Sequence, residues 1–215
     1  MANLPRVSIL PLALLSLTSS PAHATTYEQL RLELRQQRSA LRSRGGDAAL
    51  RARLLRDFDR LSTRWLGTAW GLGAPQIKRP GKGKINCGTF VGRLLADMGF
   101  RLRVWKWQQQ PSYLAIRTVT PGGRRWRRWF PRVSMKRFIE GMRAMGDGLY
   151  IVGLDFHVGF LRQEGSKLTF IHASYITRNV EAEAAASSRA LIDSRSKVVG
   201  KLLSGKMLRM WRRNR

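Results

Sequence analysis

The chain has 215 residues, with 40 Lys and Arg against 13 Asp and Glu, a formal net charge of +27, and a single cysteine. One cysteine excludes a disulfide framework within the chain, and a field this positive steers the molecule toward anionic surfaces without saying anything about its fold. Arg6 is the only charged residue before Thr25, an apolar stretch runs from Val7 to Leu17, and Ala22-His23-Ala24 places small residues where a signal peptidase reads. Cleavage after Ala24 is expected, giving a periplasmic or secreted protein. The apolar run is too short to span a bilayer. What remains is enough for one domain with an N-terminal appendage.

Residues 26 to 43 predict a basic helix, with Tyr27, Leu30, Leu34 and Leu41 along one side. After Arg44-Gly45-Gly46, Asp47 is the expected N-cap of a second helix, in which Leu50, Leu54, Phe58, Leu61 and Trp65 form one apolar stripe. The pair, spanning residues 25 to 66, is expected to be a helical hairpin packed on the domain that follows. Residues 67 to 84 are punctuated by glycine and proline and predict a loop. Phe90, Val91, Leu94, Leu95 and Met98 then recur at the helical interval, with Asn86 as N-cap, Cys87 at the first position and Gly99 as C-terminal stop. A helix N-terminus favours a thiolate and offers free N–H groups to an oxyanion, so a lowered thiol pKa is expected there.

Residues 101 to 146 form a long basic and aromatic insert, with Trp105, Trp107, Trp126 and Trp129 interleaved with Arg124, Arg125, Arg127 and Arg128. Aromatic faces stack on sugars and arginine pairs with carboxylate or phosphate, so the insert is expected to wall a substrate cleft; the alternative is a half-buried strand with a solvated basic face. Beyond Gly148, residues 149–154, 156–161 and 167–172 predict strands, with a turn at 163–166 folding the last two into a hairpin. That hairpin brings His157 and His172 together. Asp155 is a rival partner for His157 on the strand's alternation, although a surface carboxylate is the simpler reading. Residues 181 to 193, alanine-rich, predict a helix or helical loop, residues 197 to 203 a last strand, and residues 205 to 215 a basic tail.

A thiol nucleophile needs an imidazole base and a third group to hold that base, and Cys87, His157 and His172 supply the set. Four blocks carry a family resemblance: residues 67–73, Asn86-Cys87-Gly88-Thr89-Phe90-Val91, His157-Val158-Gly159-Phe160-Leu161, and Ile171-His172-Ala173. They resemble the NlpC-type cysteine peptidases of bacterial cell walls. The resemblance implies an α+β, reduced papain-like fold over residues 67 to 204, with the nucleophile helix on a small antiparallel sheet. It implies Cys87 as nucleophile, His157 as base and His172 as orienting residue, with no cofactor or metal. Trp70 stands where that family has a tyrosine near the oxyanion, and Asn86 where it has aspartate. Gly88, Trp126, Trp129, Arg124 and Arg125 are the further candidates for substrate contact.

The activity so implied is cleavage of an amide bond in peptidoglycan stem peptides by a monomer acting on peptidoglycan or another anionic envelope polymer. Peripheral contact with anionic membrane fits the charge, and nucleic acid is not an expected partner. The alternatives are a papain-like acyltransferase or lipid-ester hydrolase, and a secreted polyanion-binding protein without catalysis.

Overall fold

The computed structural model describes residues 26–43, 45–73 and 76–213. The leader assigned to residues 1–24 lies outside them. No helix among the described residues is long and apolar enough to cross a membrane.

In chain order the elements are α1 (Tyr27–Ser43), α2 (Asp47–Thr63), β1 (Ala69–Trp70), β2 (Lys84–Ile85), α3 (Cys87–Asp97), α4 (Val104–Trp107), α5 (Ser112–Val119), β3 (Arg127–Pro131) and α6 (Met135–Ala144). They continue with β4 (Gly148–Gly153), β5 (Val158–Glu164), β6 (Lys167–Ala173), β7 (Val180–Ala184), α7 (Arg189–Asp193), β8 (Ser196–Lys201) and α8 (Gly205–Arg212). Six strands make one antiparallel sheet in the order β3-β8-β4-β5-β6-β7, and β1 pairs with β2 in parallel. The fold is α+β, with the cysteine helix laid on a small antiparallel sheet.

One face of that sheet carries the main core. The stripe predicted for α2 is buried there: Phe58 and Phe90 each meet Phe160 of β5 edge-to-face, at 4.9 and 6.2 Å between ring centroids. Trp65 donates its indole N–H to Tyr27 Oη, which in turn donates to Asp97 at the end of α3, so both N-terminal helices are stitched to the cysteine helix. The second face packs Phe138 and Met142 of α6 against Tyr150, Val152, Phe170 and Val199.

Helix α3 follows its sequence signals closely. Asn86 Oδ1 accepts from Thr89 N at 2.7 Å. At the other end Gly99, at φ +96°, lets its own N–H reach Ala96 O and that of Phe100 reach Leu95 O, a Schellman stop. At α2 the cap is Gly46, and Asp47 is the first helical residue.

Two further expectations are corrected. Residues 180 to 184 form strand β7 rather than a helix, because Val180 and its neighbours complete the edge of the sheet against β6; only 189–193 are α-helical. The basic tail is a docked helix: Ser204 accepts from Met207 N, and Met207, Leu208 and Trp211 are buried. Trp211 donates to Met98 O, and Arg212 to Leu41 O. The insert folds as two short helices, a 3-10 turn at Arg124–Trp126, an edge strand and α6, and the strand is the half-buried one with a basic face that is the alternative expectation for this segment.

Candidate active site

Cys87 opens α3 on the wall of a cavity of about 310 Å³, which it shares with His157, Gly88, Gln108, Ser112 and Leu154. The first turn of the helix has few free donors left. Thr89 N is taken by the Asn86 side chain and Phe90 N by Asn86 O, which leaves the N–H groups of Cys87 and Gly88 facing the sulfur. Asn86 is itself fixed, its N–H donating to Gln76 Oε1 at 2.6 Å. Gly88 has a packing reason as well: a Cβ there would come within 3.0 Å of Gln108 Cβ. Gln108 accepts a hydrogen bond from Thr89 Oγ1, so the insert is tied to the cysteine helix.

The expected thiol acidity is reversed. Burial raises the pKa of Cys87, and the opposing backbone hydrogen bonds from Val158, Gly88 and Cys87 do not overcome it. The resting group is a thiol, because desolvation of a thiolate outweighs two or three amide dipoles here.

The two histidines meet across the β5–β6 hairpin, with His157 Nε2 and His172 Nδ1 2.8 Å apart. His157 immediately precedes β5, where its carbonyl accepts from Leu154 N. His172 lies within β6, its ring stacked on Phe170 at 4.0 Å. Gly159 makes that stack possible, since a Cβ there would fall 2.6 Å from the Phe170 ring and 2.9 Å from His172 Cβ.

Strand β7 adds groups that sequence reasoning missed. His172 Nε2 lies 3.0 Å from Glu183 Oε1 and 3.4 Å from Glu181 Oε1. A carboxylate only accepts, so His172 carries its proton on Nε2 and presents the Nδ1 lone pair to His157. His157 then donates from Nε2, and its Nδ1 is left as a free base. The chain of donors runs one way, from His157 through His172 to Glu183. Burial lowers the pKa of both imidazoles, and for His157 the neighbouring His172 adds to it, so both are neutral at pH 7.

His172, Glu181 and Glu183 are also the one grouping among the described residues with the donor set for a metal ion, their ligand atoms lying within 4.8 Å of one another. A metal on His172 Nε2 would displace the proton that sets the relay's direction.

Asp155 does not reach His157. Its oxygens accept from Arg195 N and Ser196 N at 2.7 and 3.1 Å, which pins the β4–β5 turn to the start of β8. Trp70 is half-buried beneath Arg178, whose guanidinium carbon lies 4.7 Å from the ring centroid, and Leu72 rather than Trp70 lines the cysteine cavity. Trp70 Nε1 is buried with no hydrogen-bond partner among the described residues.

A second cavity, of about 900 Å³, adjoins the first, with Ser112, Leu154 and Asp155 lining both. Arg124 and Trp129 of the insert line it; Arg125 and Trp126 do not, the guanidinium carbon of Arg125 lying 4.5 Å from the Trp126 ring centroid.

No family model matches the chain, and no curated protein matches it. A solved structure described as an N-acetylmuramoyl-L-alanine amidase from Bacteroides uniformis is similar over 68% of this chain and 98% of its own, at 10% identity and a TM-score of 0.34. A likeness that loose does not bear on this chain's chemistry.

Proposed function

We propose that the protein is an exported cysteine hydrolase that cuts an amide bond in peptidoglycan stem peptides. The observation that carries the reading is one cavity holding a thiol at a helix N-terminus and an imidazole whose far nitrogen is committed to a second imidazole and a carboxylate. Such a neutral thiol and neutral imidazole work by general base catalysis, not as a preformed ion pair.

In this mechanism His157 Nδ1 takes the proton from Sγ as sulfur attacks the amide carbon. The carbonyl oxygen becomes an oxyanion beside the N–H groups of Cys87 and Gly88. The growing imidazolium is stabilised through His172 by Glu183. Collapse breaks the C–N bond, the leaving amine receives the proton from His157, and a thioester remains on Cys87. Water, deprotonated by His157, attacks the thioester; the acid departs and the proton returns to sulfur.

The test is digestion of purified peptidoglycan by wild type and Cys87→Ala, with products read by mass spectrometry. New peptide ends made by wild type and absent with the variant are expected. Identical products from both, or none from wild type, would overturn the reading.

A further inference from the structure

The larger cavity is more strongly cationic than its size requires. Arg117, Arg124, Arg127 and Arg128 all line it, against one carboxylate, Asp155, whose oxygens are already occupied by backbone N–H groups. Two of the four arginines have structural work: Arg127 donates to Thr120 O and Arg128 to Gly141 O. The side chains of Arg117 and Arg124 have no hydrogen-bond or ion-pair partner among the described residues; that of Arg117 lies over Tyr113 at 5.8 Å from the ring centroid. Two guanidinium forks are therefore free for an oxyanion.

The same wall carries Trp129, 66% exposed, with its indole N–H tied to Ser196 Oγ at 2.6 Å. An aromatic face that is open to solvent and held by its edge is a stacking platform for a sugar ring. The cavity adjoins the thiol site across Ser112 and Leu154, whose Oγ–H···O bond of 3.2 Å forms the ridge between them, so a molecule lying over that ridge reaches both.

We propose that this cavity is a subsite for a sugar ring bearing a carboxylate or phosphate, carried on the same molecule whose amide is cut at Cys87. Trp129 stacks on the ring, and Arg117 with Arg124 grips the oxyanion. The assignment rests on the hydrolase reading for its link to cleavage, but the subsite is tested by binding alone.

Calorimetry on the wild-type chain with glucose, glucuronic acid and glucose 6-phosphate holds the ring constant while changing the anion. At least one charged sugar is expected to bind tenfold or more tightly than glucose, and which one identifies the anion. Arg117→Ala/Arg124→Ala should bring the charged sugars down to the level of glucose, and Arg117→Lys/Arg124→Lys should recover part of the preference, since a point charge remains without the fork. Trp129→Ala should weaken all three sugars by a similar factor. Equal binding of the three by wild type overturns the proposal. So does retention of the preference by a folded Arg117→Ala/Arg124→Ala protein, or acetate and inorganic phosphate binding as tightly as the matching sugars. Failure of the hydrolase reading appears separately, in the peptidoglycan digestion.

Discussion

Glu183 decides which nitrogen of His157 can act as a base, although it lies two hydrogen bonds from the cavity. In Glu183→Gln the amide can donate to His172 Nε2, which allows His172 to carry its proton on Nδ1 and forces His157 to hold one where the base should be. The expected result is a fall of about 10- to 100-fold in kcat/KM, the size typical of losing a group that orients an imidazole, with little change in melting temperature because the side chain is 28% exposed. Glu181→Gln, at the longer distance, should do less. Equal activity of Glu183→Gln and wild type would remove the relay. A second outcome concerns the nucleophile itself. Alkylation of Cys87 by iodoacetamide should titrate above the free-thiol value of about 8.5, since burial raises its pKa; a midpoint below 7 would mean a resting thiolate. Cys87, His157 and His172 stand out in the chain because its one cysteine and two of its three histidines each sit beside a readable helix or hairpin signal. Glu183 does not stand out. Its segment, Val180 to Ala184, is rich in alanine and glutamate, residues with strong helix propensity, and only pairing with β6 turns the alternate glutamates to one face.

The secondary-structure elements divide along the same line. Helices α1, α2 and α3 were legible because their apolar stripes and stops are local, and the β5–β6 hairpin because Gly165, at φ +53°, sits in its turn. The insert and the last helix were not legible, since their burial depends on partners far away in the chain: Ser112 donates to Leu154 O across 42 residues, and Trp211 to Met98 O across 113 residues. Trp211 is therefore a structural residue despite its basic surroundings. Trp211→Ala should cost about 3–5 kcal/mol, the usual range for removing a buried tryptophan, read as a lower urea midpoint; an unchanged midpoint would mean that α8 is not docked in solution. Gly159→Ala should act more narrowly. The added methyl must push Phe170 and His172 apart, so activity should fall further than the ~1–3 kcal/mol expected for overpacking accounts for through unfolding.

Across the molecule, the two buried imidazoles make stability depend on acidity. Their folded pKa values lie below the ordinary 6.5, so the unfolded chain binds protons that the folded chain refuses. Stability from this source is complete above pH 6.5 and declines as the pH falls below it. The urea midpoint should hold from pH 8 to 7 and drop between pH 6.5 and 5. Asp57 and Asp59, whose burial raises their pKa, act in the opposite sense, but only nearer the carboxylate range. A midpoint that stays flat down to pH 5 would show that His157 and His172 are protonated freely in the folded state. Chain order adds a different constraint. Cys87 opens α3, while Trp211 of α8 closes over Met98 at its far end. A ribosome that has reached only residue 200 has made the thiol and both imidazoles, but not the indole that bonds the far end of the thiol's helix. The contact between Trp211 and Met98 therefore forms only after every residue of the β5–β6 hairpin has been made.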